Sequence, residues 1–109
     1  MQDPQDAIEA YNRGMEYLDY NEPDQALAAF TEAIRLKPNS LQAWFARGFA
    51  QANLGHFDAA IADYSEAIRL DPRYAAAYHN RSAAFAAKGD HHAEQQDQAK
   101  YLQLRAGAA

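Results

Sequence analysis

Residues 13 to 38 of the chain come round again at a fixed step of 34. Arg13/Arg47, Gly14/Gly48, Asp24/Asp58, Ala26/Ala60, Ala28/Ala62, Glu32/Glu66, Ala33/Ala67, Ile34/Ile68, Arg35/Arg69, Leu36/Leu70 and Pro38/Pro72 are identical pairs at that offset. The same step carries Ala43, Arg47, Ala50, Ala52 and Gly55 onto Ala77, Arg81, Ala84, Ala86 and Gly89, so a third copy follows. A strict period of this length excludes most folds. Each copy is one supersecondary unit that cannot bury its apolar face alone, and stacked copies complete one another's core. The 109 residues hold three copies, at about 7–40, 41–74 and 75–108, which is about the minimum for a continuous core and leaves no room for a second domain.

Local signals divide each copy into two helices. Asp3-Pro4 caps and opens the first, and Asp6 sits in its first turn, where the helix dipole favours a carboxylate. This helix is predicted to run to about residue 20, with Asn21 taking the left-handed turn that Gly55 and Gly89 take later. Pro23 starts the second helix, whose Ala26, Leu27, Phe30, Ala33 and Ile34 recur at helical spacing. The central copy predicts helices over about 41–54 and 57–70, with Ser40 as a cap and the stripe Ala60, Ile61, Tyr64, Ala67, Ile68. The third predicts helices over about 74–88 and 91–105 before a fraying Gly-Ala-Ala end. In the last helix Glu94, Gln98 and Tyr101 replace Ala60, Tyr64 and Ala67, residues that would pack on a following copy. It reads as a polar cap, and the array as complete.

Trp44, Gly48, Ala60, Tyr64 and Pro72 fall at the spacings of the tetratricopeptide repeat, which the chain resembles over almost its whole length. It departs from the family's pattern at Arg13, Arg47 and Arg81, where Leu is usual, at Gln51, and at Ser82, which stands in the glycine position. The resemblance implies an all-α, right-handed superhelical solenoid of three helix-turn-helix repeats, about six antiparallel helices. It also implies a non-enzymatic adaptor whose first helices line a concave groove.

Charge and composition narrow the partners. A net charge of −5 repels phosphate backbones, so no nucleic acid is expected. No run approaches the roughly 18 apolar residues of a membrane span, and the acidic start lacks a signal sequence's apolar core, so the chain is expected to be soluble and cytoplasmic. Without cysteine there are no disulfides or thiolate sites. His91-His92-x-Glu94 resembles a ligand cluster, but adjacent residues diverge by about 100° on a helix. No metal, cofactor or catalytic residue is expected. Arg47/Asp63 and Arg81/Asp97 are each 16 apart, one member on each helix of a copy, and are expected to pair. Arg13 faces Ala29 at that spacing and is the freest of the three.

The groove positions that the resemblance implies are Ile8, Tyr11, Met15, Leu18 and Asp19 in the first copy. Gln42, Phe45, Phe49, Ala52 and Asn53 follow in the second, and Ala76, His79, Ala83, Ala86 and Ala87 in the third. The first two copies are bulky there and the third hollow. Phe45 and Phe49 add an apolar stripe that a two-layer repeat does not wholly bury, and such a patch marks an interaction site. The candidate partner-binding residues are Ile8, Tyr11, Asn12, Met15, Phe45, Phe49, Asn53, His79, Asn80 and Ala83, with an apolar or amphipathic segment of another protein as occupant. A second copy of the chain, bulky half in hollow half, is the alternative. The family's two-carboxylate clamp for acidic chaperone tails would place its five polar residues on Tyr11, Met15, Ala46, Ala76 and Asn80. None of the five is retained, which disfavours that mode.

Overall fold

The computed structural model describes residues 3–107, which form six α-helices and no strand. They are α1 (Pro4–Asp19), α2 (Pro23–Leu36), α3 (Leu41–Asn53), α4 (Phe57–Leu70), α5 (Ala75–Lys88) and α6 (His91–Arg105). The predicted bounds shift by one residue at three ends, where Tyr20 and Leu54 are C-caps and Tyr74 is an N-cap. Asp3 accepts a hydrogen bond from the Gln5 amide at 2.9 Å, and Ser40 accepts one from the Ala43 amide at 3.4 Å. Asn21 turns the chain at φ +58°, the left-handed state expected of it. Gly107 closes α6, while the end of the third copy at Ala108 and the fraying expected there lie outside the described residues.

Each helix packs most extensively on its hairpin partner and next on the helix across the following loop. Among the described residues α1 touches α3 and α3 touches α5, whereas α2, α4 and α6 do not touch one another. The array therefore curves with the odd-numbered helices on its inner side, and their free faces form one concave surface.

The hairpins close on contacts 16 residues apart. Phe30 is fully buried and Tyr64 is 1% exposed, and these rings fill the notches left by Gly14 and Gly48. A Cβ on Gly14 would stand 2.4 Å from the Phe30 ring, and one on Gly48 2.7 Å from Tyr64, so a glycine is required at both. In the third hairpin the pair is Ser82 and Gln98. Ser82 Oγ donates to the His79 carbonyl at 2.7 Å and lies 3.4 Å from Gln98 Oε1.

One position earlier in each hairpin stand the arginines. Arg47 makes a two-point bond to Asp63 at 3.0 and 2.8 Å, and Arg81 one to Asp97 at 2.7 Å for both contacts, as the spacing predicts. The Asp97 bond holds the Arg81 guanidinium above its ordinary pKa. Each arginine also reaches back 16 residues. Arg47 donates to Thr31 Oγ1 at 3.4 Å and Arg81 to Ser65 Oγ at 3.0 Å. Each guanidinium thus ties its own hairpin's carboxylate to a hydroxyl of the preceding hairpin, fixing how successive hairpins stack. The first hairpin lacks this link, since Arg13 is exposed and lies in a surface hollow with Asp6, Glu9 and Glu32. A matching lock holds the loops: Trp44 Nε1 donates to the Pro38 carbonyl at 2.7 Å, and Tyr78, its counterpart one period on, donates to Pro72 at 2.9 Å.

Candidate functional site

On the concave surface α1 and α3 enclose a hollow of about 430 Å³, lined by Tyr11, Met15, Leu18, Asp19, Phe45, Ala46, Phe49 and Tyr74. A smaller one of about 210 Å³ follows between α3 and α5, lined by Phe49, Ala52, Asn53, Phe57, Tyr64, Asn80, Ala83 and Ala84. Phe49 borders both and is 42% exposed. At the near end Ile8 and Tyr11 line a third depression with Lys37 and Gln42. The larger hollow therefore lies on the bulky half of the groove, because side chains standing up from α1 and α3 form its walls over an alanine floor.

The sequence candidates divide between these hollows. Tyr11, Met15, Phe45 and Phe49 share the larger, Phe49, Asn53, Asn80 and Ala83 share the smaller, and Ile8 lies at the near end. Asn12 and His79 are exposed and line none of the three. The His79 ring stacks on Tyr101 of α6, centroids 4.6 Å apart, which draws it toward the third hairpin. Phe45 and Phe49 also part company. Phe45 is half-buried between Tyr64 at 5.6 Å and Tyr74 at 5.2 Å, and Phe49 is the ring that stands out.

Tyr74 is a wall of the larger hollow that the sequence reading missed. It occupies the position of Ser40, which caps α3, yet it makes no side-chain cap for α5. A cap of this kind contributes about 0.5–2 kcal/mol. An aromatic residue that gives up a cap conserved by type in the preceding copy was the available signal. Its ring meets Phe45 edge-on at 89°, forming a right-angled corner. Burial pushes its phenol above the ordinary tyrosine range, helped by Tyr11 and Asp71 nearby.

Burial pushes the Tyr64 phenol further, up to about 12, against a lowering contribution from the Asn80 side chain beside it and with a raising one from Asp63. Because the folded pKa exceeds the unfolded one, this group's stabilisation is complete below about pH 10 and is lost as pH rises toward 12. Alkaline denaturation should reveal a loss of up to about 2 kcal/mol across that window. Tyr64→Phe, which installs the residue that the first copy already uses, should remove that part of the slope.

Asp19 is the only formally charged residue lining the larger hollow, and it forms no ion pair among the described residues. Among the described residues no three His, Asp or Glu converge on a metal position. His91 Nδ1 lies 2.8 Å from Glu94 Oε1 at the exposed start of α6. No described helix is long and apolar enough to cross a membrane.

The tetratricopeptide repeat family matches residues 7–40 and 29–62, and a related TPR repeat description matches residues 52–89. No curated protein sequence matches the chain significantly. Among solved structures, the second TPR of Spaghetti (RPAP3) bound to the HSP90 peptide SRMEEVD is similar at 25% identity and a TM-score of 0.89, over 93% of this chain and 94% of that one. The yeast Sti1 TPR2B domain in complex with pHsp70 is 29% identical with a TM-score of 0.92, over 94% and 82%. The crystal structure of MamA is 25% identical with a TM-score of 0.91, over 96% of this chain and 61% of that one.

Proposed function

The chain belongs to the tetratricopeptide repeat family, and from that premise we propose that it is a non-enzymatic adaptor holding an apolar or amphipathic segment of a partner protein in its concave groove. The observation that carries this reading is the larger hollow. Met15 and Phe49 stand 38% and 42% exposed on its wall, although the cores around Phe30 and Tyr64 close without them. An open apolar recess on a folded surface is a site waiting for a partner. Similar structures hold HSP90 and Hsp70 peptides, which supports a peptide as the occupant.

The kind of peptide differs in this proposal. At the five clamp positions the chain has Tyr11, Met15, Ala46, Ala76 and Asn80, with no cation to meet a terminal carboxylate. SRMEEVD is therefore expected to show no saturable binding. Asn53 and Asn80, which line the smaller hollow with Phe49, would hydrogen-bond the ligand backbone.

Burying the Phe49 ring contributes about 1.5–3 kcal/mol. Phe49→Glu should therefore weaken binding of an amphipathic leucine-rich probe peptide by roughly ten-fold to a hundred-fold, with the helical circular dichroism unchanged. Loss of helicity would place Phe49 in the core instead. Sedimentation equilibrium is expected to give a monomer. A dimer that Phe49→Glu dissolves would assign the groove to a second copy of the chain.

A further inference from the structure

The groove has an electrical as well as an apolar asymmetry. Because the helices alternate in direction, the α1–α2, α3–α4 and α5–α6 turns share one end of the array. Around those turns lie Glu16, Asp19, Glu22, Asp24, Asp58, Asp90 and Glu94, against a single cation, Lys88, which pairs with Asp58. The rest of the chain holds nine Lys or Arg and eight Asp or Glu, so the net charge of −5 is accounted for at this end. Asp19, the exposed last residue of α1, belongs to this acidic end and also lines the larger hollow. The rest of its lining is apolar, the four rings of Tyr11, Phe45, Phe49 and Tyr74 together with Met15, Leu18 and Ala46.

An apolar, ring-rich hollow lined by one carboxylate that has no ion-pair partner among the described residues is chemically selective. Aromatic rings accept both an alkyl stem and a cation, and a carboxylate holds the cationic head. An acidic segment would bring like charge to Asp19 and to the acidic end behind it. An uncharged apolar segment would fill the rings and leave the carboxylate unused. Resting on the groove reading above, we infer that the occupant is a basic amphipathic segment, which lays a lysine or arginine stem against the exposed Phe49 ring and sets its charge on Asp19, about one helical turn further along the hollow.

The test compares two capped amphipathic helical peptides, one of leucine and lysine and one of leucine and glutamate, by fluorescence anisotropy against the full chain and two variants. The leucine–lysine peptide should bind more tightly, by roughly five-fold or more, with an affinity that falls as salt is raised. Asp19→Asn, a neutral change of equal size at an exposed position, should reduce that preference while leaving apolar binding in place. Phe49→Ala, which removes the ring without adding charge, should weaken the apolar contribution of both peptides. Equal or tighter binding of the leucine–glutamate peptide, with Phe49→Ala still weakening it, overturns the inference and leaves the groove reading standing. A lysine preference that Asp19→Asn does not reduce also overturns it, because the charge is then read elsewhere. If neither peptide binds, or if Phe49→Ala changes nothing, both readings fall.

Discussion

Arg47→Leu is expected to destabilise the fold by about 3–5 kcal/mol, the cost of leaving one member of a buried pair uncompensated. Asp63 is 3% exposed and takes both of its ligand bonds from Arg47, at 3.0 and 2.8 Å. Leucine fills the volume but supplies no donor, so the carboxylate stays in the seam between α3 and α4 without its counter-charge or the two guanidinium hydrogen bonds. The substitution also cuts the link to Thr31 and removes the guanidinium from the Trp44 ring, 5.0 Å from its centroid, loosening the contact with the preceding hairpin. Thermal unfolding followed by circular dichroism should show a fall of roughly 4–8 °C for each kcal/mol lost in a domain of about this size. The double variant Arg47→Leu, Asp63→Leu should recover most of the loss, since an ion pair replaced by apolar residues of similar volume is often neutral. The first hairpin already approximates that apolar version, with Ala29 where Asp63 and Asp97 stand later. If the double variant is as unstable as the single one, the pair's importance lies in packing rather than charge.

Phe30→Ala should cost a comparable amount, about 3–5 kcal/mol, through a cavity that the surroundings cannot close. The ring is fully buried, sits in the notch of Gly14, and packs with Ala26, Ala46 and Ala50 and, at 5.7 Å, with Tyr11. Its buried neighbours are glycine and alanine, which have no rotamers with which to fill a space, and only the partly buried Tyr11, Tyr17 and Leu18 at the edge of the cluster have side chains that can shift toward it. The void would join α1, α2 and α3 at their common contact, so the loss should appear as one lowered transition and not as local fraying. A paired experiment checks the notch. Gly14→Ala alone should cost about 1–3 kcal/mol by overpacking against the ring. In the Phe30→Ala background it should be close to neutral or stabilising, because the clash is gone and alanine favours helix over glycine by about 1 kcal/mol. Equal costs in both backgrounds would mean that the ring does not fill the notch.

These two locks show how far the sequence could be read. The spacing of 16 was enough to pair Arg47 with Asp63 and Arg81 with Asp97, whereas the seating of Phe30 on Gly14 and of Tyr64 on Gly48, at the same spacing, was not read from it. Both are contacts within one hairpin, where helix geometry and a short turn leave little freedom. The hydroxyl half of the arginine link was not legible. Thr31 and Ser65 belong to the hairpin before, and which of its residues face the next arginine depends on the angle between hairpins.

The groove divides the same way. Its membership by helix face followed from periodicity, so Tyr11, Met15, Phe45 and Phe49 were named and do share one hollow. Their separate fates did not follow. Phe45 and Phe49 are four residues apart on one face and look equivalent in sequence, yet Tyr74 from the next hairpin covers the first and leaves the second exposed. Asn12 and His79 satisfied the same pattern but lie outside the hollows, His79 because Tyr101 on its own hairpin partner takes its ring. The sequence by itself therefore determined the repeat, the helices and the arginine–aspartate pairs inside the second and third hairpins, all governed by local spacing. Only the tertiary structure decided where the recess lies, that Tyr74 walls it and that Asp19 lines it with no ion-pair partner among the described residues, because those depend on curvature accumulated between hairpins, which no single period contains.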